Sequence, residues 1–320
     1  MGNKFILGIG LNLFDTRALV LRDDGKVIAE IEKRRKKTDA NKTIEILLEL
    51  FESAISKIKK YKENLVGVGV ALGGIINNKK GIVYWPQEDK VTCVYISLPL
   101  KDYLEKKFNL PVIIENDANA SVFAEYKFNF SKYRHILYLF GGIGCGIIID
   151  RKIYHGKDGG AGEIFLNSKL PMSSFLGDFS FFRPWSFDLG MIKRAKELIS
   201  MGKETTLIKR ITSTGELSLK DIFEEVKNKD RLARQTIKEA GFCLGVKIAF
   251  LVNLFNPEVI IIGGGLEEAG NLFLDECVNA VKKFSFSEMR RNLKVTLSSL
   301  GRRSTSLGAA LLVKENSLQK

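Results

Sequence analysis

The 320-residue chain has little cysteine and histidine, and neither is grouped. The four cysteines are Cys93, Cys145, Cys243 and Cys277. They include no CxxC pair, and His135 and His155 lie far from any paired cysteines. Disulfide frameworks and Cys/His zinc sites both need such groupings. The pattern predicts free thiols in a reducing compartment, a cytoplasmic location and no metal site.

The chain also lacks a secretory signal, because no early stretch joins a charged segment, an apolar segment and a small-residue cleavage site. The most apolar long run, residues 135–150, contains four glycines and is typical of strands rather than of a membrane helix. We therefore expect no membrane association. The first predicted strand begins near residue 4, so we also expect no DNA-binding module before it.

Positive charge is in excess, with a net charge of +13 and a pI of about 9.4. Such a charge suits either an acidic partner such as nucleic acid or a solvated surface. The densest run, residues 33–37, ends a predicted edge strand, where lysines prevent edge-to-edge pairing. The remaining positive charge is spread thinly. We favour the solvated surface, and nucleic-acid binding by this chain alone is not expected.

Three consecutive polar residues follow a short apolar run. Residues 112–114 predict a buried strand, Glu115, Asn116 and Asp117 come next, and residues 118–126 predict a helix. Open α/β sheets place ligands at the carboxyl ends of their strands. Asp117 can accept a proton from a hydroxyl, and Asn116 can hydrogen-bond neighbouring hydroxyls. The alternative is that one of them only caps the helix.

The predicted elements form an α/β chain with a weak internal repeat. Both halves open with a strand meander and continue with helices and strands. Strands are predicted over residues 4–11, 16–21, 26–31, 65–70, 112–114, 135–140, 147–149 and 259–262. Helices are predicted over residues 44–58, 99–108, 118–126, 231–254 and 306–313. Two related lobes with a cleft between them follow from this pattern; residues 166–190 stay unassigned.

Two glycine-rich segments follow. The turn over residues 141–146 leads into a strand, so it is not a dinucleotide fingerprint, which needs a helix there. It is either a plain tight turn or a site where backbone N–H groups approach a phosphate. The second segment, residues 159–162, precedes Glu163. That carboxylate either reaches into the cleft or lies on a surface loop.

Together, these segments resemble the ROK family of sugar kinases and sugar-responsive repressors over residues 4–313. The matching motifs, in chain order, are Glu-Asn-Asp-Ala-Asn-Ala at residues 115–120, Gly-Ile-Gly at 142–144, Ala-Gly-Glu-Ile at 161–164, Asn-Pro-Glu at 256–258 with Ile-Gly-Gly-Gly at 262–265, and Leu-Gly-Ala-Ala at 307–310. The resemblance implies a two-lobed actin-like ATPase (ribonuclease H-like) fold with a duplicated β-meander and a central cleft. It implies lobes of residues 1–115 plus 302–320 and of residues 116–301, and a homodimer.

The resemblance also implies roles for individual residues. Asp117 is expected to be the general base that takes the proton from the sugar hydroxyl, and Asn116 and Glu163 to hold ring hydroxyls. The nucleotide and phosphate positions are Gly142, Gly144, Gly264 and Gly265. The implied ligand is a hexose or an amino sugar, with Mg-ATP and ADP if the chain is an active kinase.

The chain departs from the family at the first phosphate loop, where the family has Asp-x-Gly-Gly-Thr. Gly10 replaces the carboxylate that positions Mg²⁺, and Leu13 and Phe14 crowd the loop. Phosphoryl transfer depends on a metal-organised phosphate. We therefore expect that restoring the loop, by Gly10→Asp with Leu13→Gly and Phe14→Thr, raises kinase activity. In the second loop Gly141 replaces the family's threonine.

A further departure concerns zinc. Phe165 and Leu166 replace the Gly-His that supplies the family's zinc ligand, so no zinc is expected. Our main hypothesis is a sugar-binding sensor with weak or no kinase activity. The alternative is an ATP-dependent hexose or amino-sugar kinase of the glucokinase type. A DNA-binding repressor, the third class, has only net charge in its favour.

Overall fold

The computed structural model describes residues 3–11, 15–34, 40–88, 93–164 and 189–318. The strands are β1 (Phe5–Leu11), β2 (Asp15–Arg22), β3 (Val27–Arg34), β4 (Leu65–Leu72), β5 (Ile75–Asn77), β6 (Ile82–Glu88), β7 (Cys93–Leu98), β8 (Val112–Asn116), β9 (Ile136–Phe140), β10 (Gly144–Ile149), β11 (Lys152–Ile153), β12 (Val259–Gly263) and β13 (Lys294–Leu297). The α-helices are α1 (Ala40–Lys57), α2 (Leu100–Phe108), α3 (Asp117–Glu125), α4 (Met191–Ser200), α5 (Leu207–Thr214), α6 (Leu219–Lys227), α7 (Arg231–Phe255), α8 (Asn271–Phe284) and α9 (Ser304–Leu318).

Two five-stranded sheets share one strand order. The first sheet runs β3-β2-β1-β4-β8 and the second runs β11-β10-β9-β12-β13. In each sheet the first three strands are antiparallel, and the last two join in parallel. A small antiparallel sheet, β5-β6-β7, is not hydrogen-bonded to either, but it packs against the core of the first. The internal repeat predicted from the paired meanders is therefore confirmed.

The central strands are buried along their whole length because their sequences are continuous apolar runs. Every residue of β1, β9 and β12 is buried. Such runs are typical of strands covered on both faces.

Outside the sheets, the longest helix, α7, begins where the Asp230 side chain accepts a hydrogen bond from Ala233 N at 2.8 Å. It ends at Asn256, which has φ 47°, directly before Pro257.

Helices α3 and α9 pack closely on the sheets and on each other. A Cβ added at Gly308 of α9 would lie 1.8 Å from Ala120 O of α3. A Cβ at Gly69 of β4 would lie 2.0 Å from Ala309 O, and one at Gly146 of β10 would lie 2.1 Å from Ala118 O. Glycine is required at these positions because the helix backbones lie directly on the strands.

Most predicted elements match the structure within a few residues. The small sheet β5-β6-β7, strands β11 and β13, and helices α4, α5, α6 and α8 were not predicted. The unassigned residues 166–190 lie almost entirely outside the described residues. The lobe boundaries stay a prediction. Among the described residues, no helix is long and apolar enough to cross a membrane.

Candidate functional site

Asn116 ends β8 and caps α3. Its side-chain oxygen accepts hydrogen bonds from Ala118 N at 2.9 Å and Asn119 N at 3.2 Å. Its side-chain nitrogen donates to Gly74 O at 3.1 Å. Capping, one of the two sequence alternatives, therefore holds for Asn116. Its Oδ1 is committed to the helix, so a ligand would meet mainly the remaining N–H of the amide.

Asp117 starts α3 and is 8% exposed. One carboxylate oxygen, Oδ1, accepts a hydrogen bond from Ala118 N at 2.8 Å. The other, Oδ2, would lie 3.2 Å from a Cβ added at Gly73. A carboxylate at the end of a buried strand is suited to accept a proton from a hydroxyl.

Glu115, directly before this pair, is 3% exposed and has three partners. Its Oε1 accepts hydrogen bonds from Asn116 N at 2.9 Å and Asn119 Nδ2 at 3.1 Å. Its Oε2 lies 2.8 Å from His155 Nε2. Glu115 therefore anchors the turn that carries Asn116 and Asp117. His155 was considered in the sequence only as a metal ligand, so this contact was missed.

Glu163 is held beside the start of β10. It forms an isolated bridge with Gly144, and Cys145 N donates to Gly162 O at 2.8 Å. Burial, and secondly the negative charge of Asp117, raise the pKa of Glu163 to about 7. The charge of Asp117 acts on Glu163, so the two carboxylates are near each other, and that Glu163 reaches a sugar in the cleft stays a prediction. Two carboxylates that share one site favour a proton on one of them.

Lys247 contacts the residue that follows Glu163. It lies on α7, is 1% exposed, and its Nζ donates to Ile164 O at 2.9 Å. Burial lowers the pKa of Lys247 to about 7, and the nearby thiol of Cys145 opposes that shift. Lysine is rarely buried so completely. This contact could not be predicted from the sequence, because Lys247 lies 83 positions from Ile164.

The predicted nucleotide glycines lie near one another, since β9 and β12 are parallel neighbours. Gly141 N donates to Gly263 O at 3.1 Å, and a Cβ at Gly264 would lie 2.6 Å from Gly141 N. Gly264 and Gly265 both have positive φ, at 67° and 103°. The turn that contains Gly142 and the turn that contains Gly265 therefore meet at one edge of the second sheet.

A crevice opens beside these turns, and Arg302 lines it. The other lining residues are Phe140, Gly264, Gly265, Gly301, Ser304 and Thr305. The space in and around it, open solvent included, is only about 180 Å³. Asp15, which could replace the carboxylate lost at Gly10, pairs with Arg17 and Arg302 at 3.4 Å each. These residues do not fit a Mg-nucleotide.

A side chain at Gly10 would meet α9, so packing opposes a carboxylate there; the effect of the triple change on kinase activity stays a prediction. A Cβ at Gly10 would lie 2.6 Å from Ser306 N and 3.0 Å from Thr305 Cβ. Helix α9 occupies the space because it packs against β1 with no side chain between them. Leu13 and Phe14, which we expected to crowd the loop, lie outside the described residues.

The zinc prediction also concerns residues outside the described part of the chain, Phe165 and Leu166. Within the described part, no cluster of three His, Cys, Asp or Glu side chains could hold a metal ion. The absence of zinc stays a prediction.

Comparison with known proteins gives one family and two kinds of relative. The model of the ROK family matches residues 7–165 and 197–316. The chain is 31% identical over 315 residues to a xylose repressor of Caldicellulosiruptor bescii, covering 96% of this chain and 77% of the repressor. It is 27% identical over 329 residues to a glucokinase of Halalkalibacterium halodurans, covering 100% of this chain and 98% of that enzyme.

A solved structure with the same fold is a ROK glucokinase from Streptomyces griseus in complex with glucose and AMPPNP. It has a TM-score of 0.77 at 24% identity and covers 97% of this chain and 99% of its own. The predicted fold, a two-lobed actin-like ATPase fold with a duplicated meander, is confirmed. The relatives include sugar kinases and sugar-responsive repressors, so their names alone do not choose between the two activities.

Proposed function

Since the chain belongs to the ROK family, we propose that it binds a sugar in the cleft beside Asp117 and Glu163, acts as a sugar sensor, and has little or no kinase activity. One contrast carries the proposal. The two carboxylates of the sugar side lie together, with the charge of Asp117 raising the pKa of Glu163. On the nucleotide side, Asp15 is paired with two arginines.

The two sides have different requirements. A sugar needs only well-placed hydrogen-bond partners, and Asp117, Glu163 and the amide of Asn116 supply them. Phosphoryl transfer also needs a metal-organised triphosphate aligned with the hydroxyl. Asp117, Glu163 and Asn116 support the first requirement. Among the described residues, the second is opposed by the pairing of Asp15 with two arginines and by the small crevice.

The test is a panel of sugars titrated by calorimetry, with and without Mg-ATP. The panel contains hexoses and amino sugars, and xylose is added because one relative is a xylose repressor. We expect saturable binding of at least one sugar, with the same affinity in both conditions. Binding that appears only with Mg-ATP, or no binding by any sugar, would count against the proposal.

A kinase is the second candidate, because the similarity to a glucokinase spans the whole chain. Asp117 would then take the proton from the attacking sugar hydroxyl. Sugar-dependent ADP release at the usual enzymatic rate of about 1–10³ per second would establish this candidate.

A DNA-binding role for this chain alone has less support, although one relative is a xylose repressor. Its positive charge is dispersed, which gives only salt-sensitive, sequence-independent association. We expect weak duplex binding that disappears as salt is raised. Salt-resistant binding to one defined operator would contradict this.

A further inference from the structure

We infer that Arg302 keeps the nucleotide side of the cleft closed, by tying Asp15 of the first sheet to Glu268 beside the second sheet. Arg302 Nη1 lies 3.4 Å from Asp15 Oδ2, and its Nη2 lies 2.5 Å from Glu268 Oε1. Asp15 is 1% exposed, so this carboxylate is buried beneath the guanidinium. Arginine stays charged at any pH that proteins tolerate, so both ion pairs hold wherever Asp15 and Glu268 are ionised.

The backbone groups expected to receive a nucleotide are also engaged within the chain. Gly264 N donates to the hydroxyl of Tyr138 at 3.2 Å. Gly265 N donates to Glu267 Oε2 at 2.7 Å. Both N–H groups at the turn after β12 therefore already have acceptors, and a nucleotide would have to replace them.

The cation that lines the crevice is already engaged. Arg302 pairs with both Asp15 and Glu268, so a triphosphate could pair with it only by displacing these carboxylates. Separating Arg302 from Asp15 would leave that buried carboxylate with Arg17 but without one of its two arginine partners, which is costly for a buried charge.

The inference goes beyond the proposed function, because it concerns the nucleotide side and holds whether or not a sugar binds. It is tested by calorimetric titration of Mg-ATP and Mg-ADP into the unmodified protein, Arg302→Ala and Arg303→Ala. Arg303 is the matched control: it is the neighbouring arginine and pairs with Glu30 at 2.7 Å, but it does not line the crevice.

For the unmodified protein and for Arg303→Ala, we expect the dissociation constants of Mg-ATP and Mg-ADP to lie above about 1 mM. Arg302→Ala should bind at least one of the two nucleotides at least tenfold more tightly than that limit. Two results would overturn the inference: a nucleotide dissociation constant of the unmodified protein below about 1 mM, or the same nucleotide affinity in Arg302→Ala as in Arg303→Ala.

A second variant covers the case in which Arg302→Ala does not fold, which circular dichroism would reveal. Glu268→Gln keeps Arg302 in place but removes the charge of one partner, so it loosens the tie from the second sheet. We expect a smaller gain in nucleotide binding from this variant. A folded Glu268→Gln protein with unchanged binding would contradict the tie even if the alanine variant were lost.

Discussion

His155 Nε2 lies 2.8 Å from Glu115 Oε2, so a side chain that follows the edge strand of the second sheet holds the last strand of the first. Glu115 in turn holds Asn116 and Asn119. Removing the Glu115 carboxylate would leave the Asn116 N–H and the Asn119 side-chain amide without this acceptor in a buried place. The contact therefore joins the segment after β11 to the turn that carries Asp117.

We expect Glu115→Ala to reduce the free energy of unfolding by about 1–3 kcal/mol, the usual effect of leaving buried polar groups unsatisfied. We also expect weaker sugar binding, because Asn116 and Asp117 lose their anchor. Urea unfolding and calorimetry measure the two effects. His155→Ala should weaken binding in the same direction, whereas the matched change at the half-buried His135, whose ring faces Asp150 at 3.9 Å, should not. Equal binding by the two histidine variants would contradict the anchoring role.

The pKa of Glu163 predicts a pH dependence of stability. It rises from an ordinary value of 4.5 to about 7 on folding, so the folded state binds more protons than the unfolded state between these values. The free energy of unfolding should therefore fall as pH rises from 4.5 to 7, and the loss is complete above 7. Urea midpoints between pH 4.5 and 8 measure it.

Glu163→Gln should flatten this slope, and the same change at the exposed Glu63 should leave it as it is. Some slope should remain in Glu163→Gln, because the pKa of Glu267 is also raised to about 7. An unchanged slope in Glu163→Gln would show that the carboxylate is not buried beside Asp117.

Lys247 predicts the opposite slope at higher pH. Its pKa falls from 10.5 to about 7 on folding, so the folded state binds fewer protons than the unfolded state between these values. The free energy of unfolding should rise with pH in that window. Lys247→Met should remove the rise and weaken sugar binding, since Ile164 O loses its donor. Lys238→Met, on the same helix with a half-exposed side chain, is the control and should change neither.

Gly10→Asp should destabilise the protein without creating kinase activity. The new Cβ would press on the backbone of α9, and overpacking of this kind typically costs about 1–3 kcal/mol. Gly160→Ala is a suitable control for stability, because its Cβ would meet Ile75 Cγ2 at an ordinary 3.5 Å. Sugar-dependent ADP release by a stable Gly10→Asp protein would contradict this prediction.

The sequence predicted those parts of the site that depend on neighbouring residues. Asn116 and Asp117 follow an apolar run directly, so their place at the end of β8 could be read from the pattern. The position of Glu163 beside Asp117 needed the fold, because nothing local brings residue 163 to residue 117. The contact between Lys247 and Ile164 also needed the fold, because the two residues meet only when α7 packs against the second sheet.

The closed crevice could not be predicted at all. Asp15, Glu268 and Arg302 lie far apart in the chain, and each alone is an ordinary charged residue. The Gly10 replacement was visible in the sequence, but the neighbour that a side chain there would meet, helix α9, was not. Strands made of continuous apolar runs were predicted well, whereas the short strands of the small sheet and helices α4, α5, α6 and α8 were missed.

The last prediction concerns Asp117 and separates binding from catalysis. Asp117→Asn keeps the size of the side chain and an oxygen for the bond from Ala118 N, but it removes the negative charge. Hydrogen bonds to charged groups contribute about 1.5–3 kcal/mol, so sugar affinity should fall by about tenfold or more. The pKa of Glu163 should also fall, because the charge of Asp117 contributes to raising it. The stability slope assigned to Glu163 should then shift to lower pH in Asp117→Asn.

Asn116→Ala is the comparison: it should lower stability by about 0.5–2 kcal/mol through the lost cap and leave that pH slope in place. Sugar-dependent ADP release should be feeble in all of these proteins. Turnover of about 1–10³ per second by the unmodified protein, abolished in Asp117→Asn, would instead establish the kinase.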